Sequence, residues 1–190
     1  MTQWSAVRMT QARQVAELMG VDEAELPDAE LPAIAHYSTL RAADDRRGAV
    51  EFVAHALPRF EAIAWAARVL DEESRTHPLD RRDRQALDHA LRWLGDVDDR
   101  NRRAAHDAAL DARDFSPEKL LALAVWFSGG SISEPDLPPV LPPSEMAGRF
   151  AGHAVLAAAA RASAPEAVMD RALSLADRVA EQGTKALHPA

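Results

Sequence analysis

Apolar residues recur at three- and four-residue spacing along almost the whole chain, and no stretch alternates apolar with polar as a half-buried strand would. That periodicity restricts the fold to packed helices. Alanine, 40 of the 190 residues, reinforces it, because alanine has the highest intrinsic helix propensity. The expected fold is all-α: a single compact domain of about eight or nine helices. They are expected to pack as antiparallel pairs around the helices bearing Trp65, Trp93 and Trp126. A chain of 190 residues is long enough to bury a core of its own.

Local punctuation places the helices. The first is expected over Ser5 to Met19, with Gly20 as its stop. An acidic, proline-containing connection follows from Val21 to Pro32, carrying Asp22, Glu23, Glu25, Asp28 and Glu30. Ala33 to Ala43 reads as a second helix, and Asp44 or Asp45 caps a third over Arg47 to Leu57. Pro58 fits the first position of a fourth, where a missing N–H costs little. Asp80 and Asp98 read as N-caps of helices over Arg81 to Leu94 and Asp99 to Arg113. Ser116-Pro117-Glu118 combines a capping serine, a proline at the first position and an acid in the first turn. The run Leu120 to Phe127 is apolar all round, which predicts a central helix. Two last helices are expected over Ser144 to Ala162 and Pro165 to Gln182, with Gly183 as C-cap. The chain thus divides into an N-terminal helix and acidic connection (1–32), a helical domain (33–183) and a flexible tail (184–190).

Several classes are excluded. There is no cysteine, hence no disulfide scaffold, zinc ribbon or thiol nucleophile. The net charge of −8 argues against a general nucleic-acid binder. The most apolar run, Ala154 to Ala160, falls far short of the ~20 residues of a membrane span, and Met1 to Gly20 lacks the pattern of a signal peptide. Neither membrane nor nucleic acid is expected as a partner, and the expected location is the cytoplasm. The histidines are scattered, with no pair at the four-residue spacing that would place both on one metal. From Asp96 to Asp107 the acids superficially resemble a calcium loop. Asn101 stands where the turn glycine is needed, however, and Asp107 where a bidentate glutamate is needed. No nucleotide-binding or nucleophile-elbow motif occurs. No metal, cofactor or enzymatic activity is therefore expected.

Two constellations remain. Glu51 and His55 stand four residues apart on the third helix, with Arg59 a turn further on across Pro58. This trio is a candidate acid/base or ligand-binding set, although an exposed ion-pair edge is the commoner outcome. The second is Trp126-Phe127-Ser128-Gly129-Gly130-Ser131 with the later Pro142-Pro143. A glycine pair can converge backbone N–H groups on an anion. Here it follows a helix, at the negative end of the dipole, which favours a C-cap. The five prolines between Glu134 and Pro143 predict an extended strap laid over neighbouring helices. The alternative is a partner-recognition loop.

Three segments together carry a family resemblance: Ala54-His55-Ala56-Leu57-Pro58-Arg59 with Glu61 and Trp65, then Arg102-Arg103-Ala104-Ala105, then Trp126 to Ser131 with Pro142-Pro143. In this order they resemble an uncharacterised all-helical family of proteobacterial proteins associated with type VI secretion gene neighbourhoods. The resemblance spans residues 33 to 183, and Trp126-Phe127 stands in the reverse of the family's aromatic order. It brings no catalytic residue. It implies a cytoplasmic accessory, adaptor or chaperone-like role, with a secretion component or effector as protein partner. Two alternatives stand beside it. One is an immunity-type inhibitor whose acidic surface masks a basic toxin. The other is a small enzyme or ligand binder with a site near Glu51, His55 and Arg59.

Overall fold

The computed structural model describes residues 4–134 and 136–187. Among them are nine α-helices: α1 (Ala12–Met19), α2 (Ala33–Ala42), α3 (Arg46–Ala56), α4 (Arg59–Ser74), α5 (Arg81–Gly95), α6 (Asp99–Asp111), α7 (Pro117–Trp126), α8 (Met146–Arg161) and α9 (Pro165–Gln182). The described residues form no strand, only an isolated bridge between Gln11 and Pro32. The all-α expectation is met.

The caps explain most boundaries. Asp45 accepts from the Gly48 N–H, Asp80 from Arg82, Asp98 from Asn101 and Ser116 from Lys119. Each satisfies one of the donors a helix start leaves free. Gly20 closes α1 in the left-handed region at φ 80°. Pro58 is the N-cap of α4 rather than its first residue, with extended backbone at ψ 148°.

α1 starts at Ala12, not Ser5. Apart from a turn in which Val7 donates to the Trp4 carbonyl at 3.3 Å, the preceding backbone bonds to other segments. Ala6 donates to the Ala180 carbonyl at 2.9 Å, and Ala12 and Ala33 donate across the bridge to Leu31 and Thr10, both at 2.8 Å. The expected tail begins as a 3-10 turn, Gly183–Leu187, with Ala186 and Leu187 packed on the core; its last three residues, 188–190, lie outside the described residues.

The core is organised around α8, which packs against α3, α4, α7 and α9. Two of these, α4 and α7, carry Trp65 and Trp126, two of the three tryptophans expected at the centre, while Trp93 lies on α5; Trp65 is fully buried and donates its indole N–H to the Ala172 carbonyl of α9 at 2.8 Å. α8 is central because its buried face is small: Ala147, Gly148, Ala151, Gly152, Ala154, Val155, Ala158 and Ala159. A Cβ on Gly148 would stand 2.8 Å from the Ala54 carbonyl oxygen of α3, and one on Gly152 would stand 3.0 Å from the Ala54 Cβ. The two glycines, one turn apart, let α8 approach α3 to backbone contact. No helix is long and apolar enough to cross a membrane among the described residues.

Candidate functional site

α6 and α7 lie side by side, and the loop after α7 returns over the start of α6. Arg102, on the second turn of α6, is only 3 % exposed. Its guanidinium donates to the Trp126 carbonyl at 2.9 Å, to the Ser131 carbonyl at 2.7 Å and to Asp99 at 2.9 Å. It also lies over the Trp126 indole, 4.3 Å from the ring centroid, and His106 stacks on the same ring at 4.2 Å. Arg103 reaches the Ser133 carbonyl at 3.1 Å and Asp99 at 2.8 Å. Arg59, from the first turn of α4, comes within 3.5 Å of the Ser128 carbonyl. Hydrogen bonds from Arg103 and Arg102 hold the Asp99 carboxyl below its usual range.

Three segments far apart in the chain therefore meet at one place. Arg59, Arg102 and Arg103 grip main-chain carbonyls of residues 126–133. The Trp126 carbonyl lies at the negative end of α7, where cations are stabilising. The loop is also closed on itself. Ser131 Oγ accepts from the Ser133 and Val140 N–H groups, and Ile132 donates to the Val140 carbonyl at 2.8 Å. Phe127 stacks on Phe150 of α8, with the rings 4° from parallel.

The expected strap is corrected. Leu137, Val140 and Leu141 are 56 %, 53 % and 73 % exposed, so the segment projects its apolar side chains outward instead of covering the core. The internal hydrogen bonds close the ring before it can extend along the helices. Pro142 is half-buried and Pro143 exposed.

The two glycines differ. Gly130 has φ +69° and an added Cβ would stand 3.1 Å from the Arg102 guanidinium, whereas Gly129 has no positive φ and faces open space. The left-handed turn thus falls on Gly130 alone. Gly130→Val should destabilise the fold by ~1–3 kcal/mol through backbone strain, while Gly129→Val should stay within ~0.5 kcal/mol of the parent. Urea unfolding of both variants checks the contrast; equal losses would contradict it.

Glu51, His55 and Arg59 do not form an acid/base set. The Glu51 carboxylate pairs with Arg47 at 3.1 Å, and Arg59 turns toward Ser128. His55 is buried against α8, its Nδ1 2.7 Å from the Glu51 main-chain carbonyl. Burial pushes the His55 pKa down, the Glu51 carbonyl bond opposes this, and Arg149 lowers it further, with smaller effects from the Glu51 carboxylate and His153. Burial likewise lowers His36 and His106. A histidine with a depressed folded-state pKa stays neutral while the unfolded chain takes up its proton. Stability is then complete above the unfolded value of about 6.5 and declines as pH falls toward the folded values. Unfolding midpoints should be flat above neutrality and fall in the window just below about pH 6.5, with Asp99 and Asp114 still ionised. A flat profile through that window would contradict the burial of these rings.

The sequence marked Arg102 and Arg103 through the resemblance, and the role of Arg102 as a buried clamp was missed. Its signal was two arginines placed three and four residues after an N-terminal acid, directly before an alanine-lined helix face. Among the described residues no group of three or more histidines and acids is placed to hold a metal ion.

Fold and site define a small all-α domain that fixes an apolar-tipped loop with three arginines, Arg102 buried, Arg103 half-buried and Arg59 exposed. The chain belongs to the family of unknown function DUF6931, whose model matches residues 36–180. No significant match to a curated protein or to a solved structure was found.

Proposed function

We propose that the protein is a non-enzymatic adaptor, accessory or chaperone-like factor that acts by binding another protein through the loop at residues 131–143. The observation behind this reading is the exposure of Leu137, Val140 and Leu141 on a segment whose base is held by three arginines. Apolar side chains grouped on a surface mark interaction sites. A loop already ordered loses less entropy on binding. The finer reading, a cytoplasmic accessory of a bacterial secretion system of type VI, rests on the three-segment resemblance. Its partner would be a secretion component or an effector.

The acidic connection favours a second reading. Asp22, Glu23, Glu25, Asp28 and Glu30 are all exposed, and none is in an ion pair among the described residues. Such a face would suit an immunity-type inhibitor of a basic toxin.

The test is affinity capture from the native host, comparing the parent with the triple variant Leu137→Ser, Val140→Ser, Leu141→Ser. Surface substitutions of this kind leave stability within ~0.5 kcal/mol each. The loop reading expects the co-purifying protein to be lost at an unchanged melting temperature. Retention of the same protein would remove it. Loss on neutralising the acidic connection instead would favour the inhibitor, and a partner unrelated to secretion would remove the finer reading alone.

A further inference from the structure

Phe115, in the turn between α6 and α7, is 86 % exposed and has φ +60°. The left-handed region is uncommon for a bulky side chain and persists only where surrounding contacts hold it. Those contacts are present. Asp83 of α5, fully buried, accepts from the Arg113 N–H at 3.0 Å and from its guanidinium at 2.6 Å. Lys119 donates to Asp114 at 2.8 Å, and the Ser116 N–H donates to the Arg113 carbonyl at 3.1 Å. A buried carboxylate and a lysine thus fix a turn whose tip is an aromatic ring in water. Leu110, on the last turn of α6, is also well exposed. Asp107, Leu110 and Asp111 share one outward face of α6 by their three- and four-residue spacing. Asp107 and Asp111 are exposed and have no lysine or arginine partner among the described residues.

A complementary surface lies elsewhere on the molecule. A groove of about 890 Å³ runs between α4, α9 and the 3-10 turn Gly183–Leu187. Val69, Val168, Leu175 and Leu187 give it apolar walls. Its acids are already satisfied: Glu72 and Glu73 pair with Arg68 and Arg171, and Asp170 bonds to Arg46. Arg178 and Lys185 are exposed and have no acidic partner among the described residues. The unpaired charge of the groove is therefore positive, and that of the tip negative. α6 packs on α5 and α7, whereas α9 packs on α3, α4 and α8. The tip is thus kept away from the groove of its own chain.

We propose that the groove receives the Phe115 tip of a second copy of this chain. Phe115 and Leu110 lie against the apolar walls, and Arg178 and Lys185 of the receiving copy meet Asp107 and Asp111. Pockets of ~300–1,000 Å³ hold drug-sized molecules, so two side chains fit. A rigidly held aromatic is the kind of anchor that dominates interfaces, and a turn already ordered loses little entropy on docking. Tip and groove are different surfaces, so one contact leaves one free tip and one free groove. Association then closes into a ring or continues as a chain. The contact involves neither the loop at 131–143 nor the adaptor reading.

Sedimentation equilibrium of the full chain tests this. A single small patch belongs at the weak end of interfaces, so association is expected at ~10–500 µM. The weight-average mass of the parent should at least double by ~1 mM. Two variants remove one surface each. Phe115→Asn keeps a residue that tolerates positive φ but deletes the anchor; Arg178→Glu with Lys185→Glu reverses the groove charge. Each should weaken self-association at least about tenfold at an unchanged melting temperature. Mixed in equal amounts, the two variants should form a dimer and nothing larger, because one working tip and one working groove remain. A parent that stays monomeric at ~1 mM would overturn the proposal. So would a mixture that stays monomeric, or loss of association in the Phe115 variant alone, which would mark a symmetric contact between tips.

Discussion

Replacing Arg161 with methionine is expected to destabilise the protein by ~3–5 kcal/mol. Arg161, at the end of α8, holds Glu118 of α7 through two parallel hydrogen bonds of 2.9 and 2.7 Å. Glu118 is fully buried while the Arg161 side chain is 25 % exposed. The two partners are therefore unequal. Removing the arginine strands a carboxylate with no access to water. Removing the carboxylate leaves a guanidinium that can rehydrate. Glu118→Gln should cost less, ~1–2 kcal/mol, and the double variant Glu118→Leu, Arg161→Met should recover part of the single arginine loss, because paired replacement leaves no orphan charge. Urea unfolding of the four proteins gives these differences. If the arginine variant loses less than the glutamate variant, the buried carboxylate is not what the pair exists to neutralise.

Trp65→Ala should cost a similar ~3–5 kcal/mol by a different route. Trp65 heads the fully buried side chains by volume and bridges α4 to α9. Truncation leaves a void bounded by helices that cannot collapse independently, since α4 and α9 are both held on α8. Trp65→Phe keeps much of the volume and loses the indole N–H, so its cost should be about half as large. Because small domains have ~5–15 kcal/mol of stability in total, the alanine variant should melt far below the parent. A loss under ~1 kcal/mol would mean that the indole is not in the core.

What could be read from the sequence was local. Asp80, Asp98, Ser116 and Gly20 act over two to four residues, and each marks a helix end in the structure. The apolar run Leu120 to Phe127 marked α7 as a deeply packed helix, and Leu121, Ala122, Ala124, Val125 and Trp126 are buried there. Contacts between distant segments were not legible. Arg102 and Ser131 are 29 residues apart and Arg161 and Glu118 are 43 apart, and no local pattern tells which distant group each arginine will meet. The proline-rich segment misled for a related reason. Proline favours extended backbone, but whether such backbone lies on helices or folds back depends on Ser131 and Val140 finding each other. The glycines of α8 showed only as sequence positions until α3 was placed against them. The segments that carried the resemblance did converge, at Ser128 and Ser131, which periodicity alone did not foretell.

The arginines that secure the 126–133 segment donate to its carbonyl oxygens, and Arg102 also lies over the Trp126 ring. A grip on peptide carbonyls is indifferent to which residues follow, provided Gly130 and Ser131 keep the turn. Residues 136–141 are thereby released from any duty to hold the fold together. Their identities can drift, or be exchanged wholesale by grafting, while the shape that displays them persists. The protein is in this respect a socket with a replaceable tip, whose residues can change without a change in architecture.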